Sequence, residues 1–119
     1  MAKILIVDDS FSARKFIIYL LKNTGHEVFE AQDGQSCIKM VNEDKPDLII
    51  LDIVMPEKEG IETILVLKNT LPNLPVIAIS GASLNESYLS SAKKFGADAV
   101  LTKPFSKEQL MEAVDKILC

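Results

Sequence analysis

The sequence has few of the features that mark several large classes of protein. No apolar run approaches the roughly 20 residues of a membrane-spanning helix, and the apolar N-terminal stretch is too short and too soon acidic for a signal peptide. The two cysteines, Cys37 and Cys119, form neither a disulfide framework nor a metal-binding spacing. The single histidine, His26, is expected to be an ordinary loop residue. We therefore expect a cytoplasmic protein with reduced thiols and no membrane insertion.

Basic residues are also outnumbered, with 13 lysine and arginine residues against 17 aspartate and glutamate residues. The formal net charge is −4 and the isoelectric point is about 5.0, whereas direct nucleic-acid binding requires a basic surface. A hydrophobic fraction of 48% with 25% charged residues is typical of a compact folded domain rather than a disordered chain. Because the sequence contains no linker, repeat or low-complexity tract, we expect residues 1–119 to form one domain.

Short apolar strands alternate with helical patterns along the whole chain. Helix starts are indicated by caps at Ser10, Asp33 and Ser106, and by a capping-box spacing at Ser83. A further helix is predicted from about residue 61 to residue 71, and Gly25 and Gly96 are read as helix ends. Five β-α units of these lengths predict an α/β fold with a doubly wound parallel sheet. The predicted strands cover residues 3–7, 27–31, 47–51, 76–79 and 99–101.

Polar residues follow four of these strands at the point where each strand ends. Ligands of such sheets bind beyond the carboxyl ends of the strands, so these side chains should converge on one edge. Two carboxylates about 4 Å apart repel each other by about 4 kcal/mol at an effective dielectric constant near 20, and a cation must compensate. Hard oxygen ligands with room for water favour Mg²⁺. The converging residues are Asp8, Asp9, Asp52, Ser80 and Lys103.

This arrangement suggests phosphoryl chemistry. A carboxylate such as Asp52, beside a divalent ion and a lysine, can act as a nucleophile toward a phosphoryl group. Lys103 and the ion would neutralise charge on the transferring oxygens, and Ser80 would hydrogen-bond one of them afterwards.

Five short motifs occur in an order and at spacings that closely resemble the receiver domains of bacterial two-component response regulators. Each motif alone is weak, but the ordered set covers nearly the whole chain, from about residue 3 to residue 118. The motifs are Ile6-Val7-Asp8-Asp9-Ser10, Leu51-Asp52-Ile53-Val54-Met55-Pro56, Gly60, Ile79-Ser80-Gly81-Ala82 and Leu101-Thr102-Lys103-Pro104-Phe105.

The resemblance implies a five-stranded parallel sheet in the order 2-1-3-4-5, the flavodoxin-like (βα)5 arrangement. It implies that Asp52 accepts the phosphoryl group and that Lys103 pairs with that group after transfer, with a cis Lys103–Pro104 bond. Ser80 would be the switch hydroxyl. The Mg²⁺ ligands would be Asp8, largely through water, with Asp9, Asp52 and the backbone carbonyl of Val54.

The resemblance also implies partners. The phosphoryl donor would be a sensor histidine kinase or a histidine phosphotransfer protein, and the output would be a downstream protein target rather than nucleic acid. We expect a monomeric signalling domain that catalyses its own phosphotransfer and autodephosphorylation without being a turnover enzyme. The chain encodes no effector domain, which fits a stand-alone regulator or a receiver from a longer protein, and the initial Met1 slightly favours the first.

Three other classes stay open from the residues. An aspartate-nucleophile phosphohydrolase would need a second acid where Val54 stands. A flavodoxin-like cofactor binder would need a phosphate loop where the chain has Asp8 and Asp9. A scaffold or regulatory module of the same fold could signal through protein contacts independent of phosphorylation. One departure from the family concerns mechanism: Val100 replaces the usual aromatic residue, so we expect small backbone shifts over residues 81–105 instead of an aromatic rotamer flip.

Overall fold

The computed structural model describes residues 2–53, 59–81, 93–94 and 96–118. The described residues form one five-stranded parallel sheet in the order β2-β1-β3-β4-β5, which confirms the predicted fold class and strand order. The strands are β1 (Lys3–Val7), β2 (Glu27–Ala31), β3 (Leu48–Asp52), β4 (Val76–Ser80) and β5 (Ala99–Thr102), and the helices are α1 (Phe11–Leu21), α2 (Gly34–Asp44), α3 (Glu59–Thr70) and α4 (Lys107–Leu118).

Most of the predicted boundaries lie within one or two residues of those observed. The prediction for β3 was one residue early, so that Asp52 is the last residue of the strand rather than the first residue after it. Helix α1 ends at Leu21, before the predicted stop at Gly25, because the backbone at Lys22 turns to an extended conformation and its N–H bonds to the Tyr19 carbonyl. The helix predicted from residue 83 to residue 96 lies largely outside the described residues.

Two apolar layers enclose the sheet, and successive residues of each strand alternate between them. Ile4 and Ile6 of β1 pack in the layer that holds α1 and α4, whereas Leu5 and Val7 pack in the layer that holds α2 and α3. Strand β3 is buried along its whole length. By this alternation, the residue that follows Val7 faces the α1 and α4 layer.

Three of the helix starts that were predicted from side-chain caps, at Ser10, Asp33 and Ser106, are present, and the fourth, at Ser83, lies outside the described residues. Ser10 accepts a hydrogen bond from the Ala13 amide, and Asp33 caps α2 in the same way. At α4 the capping box is reciprocal: the Gln109 amide donates to Ser106 Oγ at 3.1 Å, and the Ser106 amide donates to Gln109 Oε1 at 2.8 Å. These caps set where each helix leaves the edge of the sheet.

Within the described residues, no helix is both long enough and apolar enough to cross a membrane.

Candidate functional site

Two aspartates and a lysine meet at the carboxyl edge of the sheet. Lys103 Nζ lies 3.2 Å from Asp52 Oδ2 and 3.8 Å from Asp8 Oδ2. Asp8 and Asp52 are only 1% and 6% exposed, whereas the Lys103 side chain is 37% exposed. The site therefore consists of two buried carboxylates beside a lysine whose side chain is partly exposed.

Strand pairing brings these residues together. Val7 of β1 is paired with Leu51 of β3, so Asp8 and Asp52, one residue further along, are neighbours on the same side of the sheet. Lys103 directly follows β5, and its amide donates to the Ser80 carbonyl at 2.8 Å. The Lys103–Pro104 peptide bond is cis, as predicted.

The electrostatic environment of Asp8 is unusual. Burial raises the pKa of its carboxyl group from 3.8 to about 6; the amide of Ser10, which donates to Asp8 Oδ1 at 2.8 Å, opposes this rise. The nearby Asp52 carboxylate raises the pKa further, and Lys103 lowers it. The folded protein thus holds a negative charge at Asp8 against an unfavourable environment.

Two buried oxygen atoms at this edge have no hydrogen-bond partner among the described residues: Asp8 Oδ2 and Ser80 Oγ. A buried polar atom without a partner is costly, and such atoms are commonly satisfied by an ion or a ligand. Carboxylate oxygens are the ligands that Mg²⁺ prefers. The buried pair Asp8 and Asp52 therefore fits a divalent cation that would complete its coordination with water.

The rest of the predicted ligand set is not assembled to the same degree. Asp9 is exposed, and the described residues contain no group of three acidic, histidine or cysteine side chains that could hold a metal ion. Val54 lies outside the described residues. The structure thus brings together Asp8, Asp52 and Lys103, with Ser80 buried at the end of the neighbouring strand β4, and the roles of Asp9 and Val54 stay predictions.

Sequence reasoning gave no role to Arg14. Its Nη1 donates to the Asp8 carbonyl oxygen at 2.6 Å, and its Nε donates to Glu30 Oε1 at 3.0 Å. The available signal was the single arginine of the chain, one turn after the Ser10 cap and next to Lys15. That signal is weak because an arginine at such a position is usually solvated.

Gly60 supports the site from the other side of β3. An added Cβ would lie 2.5 Å from the Ile53 Cα and 2.9 Å from the Ile53 carbonyl oxygen, both of which are backbone atoms. Ile53 directly follows Asp52, so the start of α3 packs next to the acidic edge, by which we mean the end of the sheet that carries Asp8 and Asp52. Only glycine permits this approach without a backbone shift.

Residues 4–115 match the family described as "Response regulator receiver domain", and the chain belongs to this family. Receiver domains are signalling domains that in general depend on Mg²⁺ and interact with histidine kinases and downstream targets.

Individual relatives agree with this assignment. The chain is 36% identical over 117 residues to the chemotaxis protein CheY of Listeria monocytogenes, covering 98% of both chains. It is 35% identical to the alkaline phosphatase synthesis transcriptional regulatory protein PhoP of Bacillus subtilis, but spans only 48% of that protein. Among solved structures, NtrX from Brucella abortus superposes with a TM-score of 0.91 at 33% identity, over 98% of this chain and 26% of NtrX.

Proposed function

We propose that this chain is a phospho-acceptor domain of a two-component phosphorelay. Asp52 takes the phosphoryl group from a phosphohistidine of a sensor histidine kinase or a histidine phosphotransfer protein, in a Mg²⁺-dependent reaction. The observation that supports this most directly is the Lys103 ammonium 3.2 Å from the Asp52 carboxylate, at an edge that also buries Asp8 Oδ2, which accepts no hydrogen bond from the described residues.

The chemistry is a single displacement at phosphorus. A carboxylate oxygen of Asp52 forms the new P–O bond while the P–N bond of the phosphohistidine breaks, and the imidazole leaves with the bonding electron pair. Lys103 offsets negative charge on the transferring group. Bound Mg²⁺ would neutralise the same oxygens, and Asp8, Asp9, Asp52 and the Val54 carbonyl would hold it. Hydrolysis of the acyl phosphate by water would return the free Asp52, so the domain acts as a switch and not as a turnover enzyme.

The response to phosphorylation is proposed to begin at Ser80. Its hydroxyl is fully buried and makes no hydrogen bond to the described residues, so it is available to bond a phosphoryl oxygen. The Lys103 amide is already bonded to the Ser80 carbonyl, which would connect this movement to the start of the last loop. Val100 of β5 packs against the core, and this supports small backbone shifts as the output.

A protein partner is supported by the surface of α1. This helix begins at the acidic edge and exposes three aromatic side chains, Phe11 at 66%, Phe16 at 49% and Tyr19 at 71%. Exposed aromatic groups are enriched where proteins bind each other. The net charge of −4 gives no support to direct nucleic-acid binding. We further propose that residues 1–119 form one receiver domain that acts as a monomer.

The test is intact mass spectrometry after incubation with Mg²⁺ and acetyl phosphate. We expect one phosphoryl adduct in the parent, no adduct in Asp52→Asn, and none in the parent after chelation of Mg²⁺. Asp47→Asn is the matched control, because Asp47 lies just before the other end of β3, where it accepts a hydrogen bond from the Lys3 amide. It should keep the adduct.

The proposal fails if the parent gains no adduct with acetyl phosphate, or if Asp52→Asn is labelled as readily as the parent. Absence of an adduct would favour the phosphorylation-independent regulatory module of the same fold.

A further inference from the structure

Arg14 lies in the second turn of α1 and reaches back to the residue at which the acidic edge begins. Its side chain is only 12% exposed. The guanidinium group donates through Nη1 to the Asp8 carbonyl oxygen and through Nε to Glu30 on β2, at 2.6 and 3.0 Å. Its Cζ atom also lies 5.8 Å from the centre of the Phe11 ring. Arg14 is thus held on several sides while it contacts the backbone of the site.

Together with the contact from Arg14, three hydrogen bonds hold Asp8, through its amide, its carboxylate and its carbonyl oxygen. The Asp8 amide donates to the Ala31 carbonyl at 3.2 Å, and its carboxylate accepts from the Ser10 amide at 2.8 Å. The carbonyl oxygen of Asp8 belongs to the peptide unit that leads to Asp9, and Arg14 holds that oxygen. The orientation of this peptide is therefore set by a charged hydrogen bond, which is stronger than a neutral one.

The position of the Asp9 carboxylate depends on the orientation of this peptide more than the position of the Asp8 carboxylate does. Asp8 is buried and packed, whereas Asp9 is exposed, so the position of the Asp9 carboxylate follows from its backbone. We propose that Arg14 is a positioning residue for the cation site: by fixing the Asp8–Asp9 peptide, it keeps Asp9 where its carboxylate can join that of Asp8. This inference rests on the proposed function, because it assumes that a cation binds at this edge.

The arrangement requires an arginine and a partner for it. A guanidinium group can hold a carbonyl and a carboxylate at once in a fixed fork, whereas the lysine ammonium is a point charge on a flexible stem. Glu30 remains ionised at neutral pH, because a hydrogen bond from Lys15 lowers its carboxyl pKa, and the bond from Arg14 lowers it too, although burial opposes both. Glu30 thus acts on Asp9 through Arg14.

Lys15 provides a matched control. Its Nζ bonds the other carboxylate oxygen of Glu30 at 2.8 Å and its side chain is 46% exposed, but it makes no contact with the Asp8 carbonyl within the described part of the chain. Lys15→Ala therefore removes a neighbouring positive charge and a Glu30 contact without touching the acidic edge.

The test compares Arg14→Ala, Arg14→Lys, Glu30→Ala and the double variant Arg14→Ala/Glu30→Ala with Lys15→Ala. The first readout is the set of backbone amide NMR signals without metal, and the second is Mg²⁺ titration followed on the same signals. Both are recorded well below the midpoint of thermal unfolding of each variant, which circular dichroism supplies. Labelling by acetyl phosphate is then measured against Mg²⁺ concentration.

Loss of a group that orients a metal ligand typically weakens affinity 10- to 100-fold. We expect Arg14→Ala and Arg14→Lys to shift the Asp9 amide signal without metal and to weaken Mg²⁺ binding by about 10-fold or more. Saturating Mg²⁺ should restore most of the labelling rate. Glu30→Ala should show a smaller loss, and the double variant should be no worse than Arg14→Ala, since Glu30 acts through Arg14. Lys15→Ala should stay within about 2-fold of the parent, as an exposed ion pair contributes little.

Two results would overturn the inference. Unchanged Mg²⁺ affinity in Arg14→Lys would show that the guanidinium fork does not matter, even if Arg14→Ala fails to fold. Equal losses in Glu30→Ala and Lys15→Ala would show a general charge effect. If the parent itself binds no Mg²⁺ and gains no adduct, the proposed function fails as well. If the parent binds Mg²⁺ and the Arg14 variants bind it with the same affinity, only the role of Arg14 fails.

Discussion

Replacing Asp8 with asparagine is expected to stabilise the metal-free protein at neutral pH while removing its response to Mg²⁺. The carboxyl group is 1% exposed, and its pKa rises from 3.8 to about 6 on folding. At 1.36 kcal/mol per pKa unit, this rise corresponds to an upper limit of about 3 kcal/mol. Asparagine keeps the oxygen that accepts from the Ser10 amide, and its amide group can donate to the Asp52 carboxylate.

The sign of the pH dependence follows from the direction of the shift. Because the folded protein binds the Asp8 proton more tightly than the unfolded chain, the contribution of Asp8 to the free energy of unfolding is highest below about pH 4. It falls as the pH rises through the interval from 3.8 to about 6, and it is level above that interval. Asp8→Asn lacks this loss. The two proteins should therefore be nearly equally stable at about pH 4, and the variant should be more stable by up to about 3 kcal/mol at about pH 7.

The assay is urea unfolding followed by far-ultraviolet circular dichroism, with a chelator present, at several pH values across that interval. Asp33→Asn is the control: the Ser36 amide lowers the pKa of the Asp33 carboxyl, so its stabilising effect is present above its unfolded pKa and is lost as the pH falls. That variant should gain no stability at about pH 7.

The reasoning is refuted if Asp8→Asn is no more stable than the parent at about pH 7, or if the gap between them does not change from about pH 4 upward. The expected loss of the response to Mg²⁺ is tested in the same assay. A ligand at 100 times its dissociation constant stabilises the folded state by about 2.7 kcal/mol, so saturating Mg²⁺ should close most of the gap by stabilising the parent alone.

Three further predictions concern neighbouring parts of the fold. Gly60→Ala should lower the free energy of unfolding by about 1–3 kcal/mol in urea titrations, because the added Cβ meets the Ile53 backbone at 2.5 Å; a gain in stability, as in an unobstructed helix, would contradict this packing. Ser106→Ala should cost about 1 kcal/mol in the same assay, since Ser106 Oγ accepts from the Gln109 amide, and an unchanged midpoint would show that the cap is dispensable. Lys103→Gln should slow labelling by acetyl phosphate about 100-fold, because it removes the ammonium group beside the acceptor carboxylate; a rate within about 2-fold of the parent would contradict a role in charge neutralisation.

The order of the elements and the side of the sheet that carries the site follow from local sequence patterns. A run such as residues 48–51 is apolar throughout because both faces of a central parallel strand are covered. Ser10 and Ser106 mark helix starts through hydrogen bonds made within one turn. Since parallel strands all end at one edge, Asp8, Asp52 and Lys103 could be assigned to a single site before their distances were known.

Contacts between residues far apart in the chain could be decided only by the tertiary structure. The elevated pKa of Asp8 depends on burial beneath packed helices and on a carboxylate 44 positions away, Asp52, and no local pattern encodes either. The guanidinium group of Arg14 bonds the Asp8 carbonyl after β1 and also Glu30 on β2, so this pair of hydrogen bonds exists only once the two strands are assembled. The sequence alone therefore determined that Asp8, Asp52 and Lys103 meet at one edge of the sheet, because strand periodicity and turn residues are local. The packing of α1 and β2 around them decided how those residues are charged and held, because burial and long-range hydrogen bonds arise only when the whole sheet is assembled.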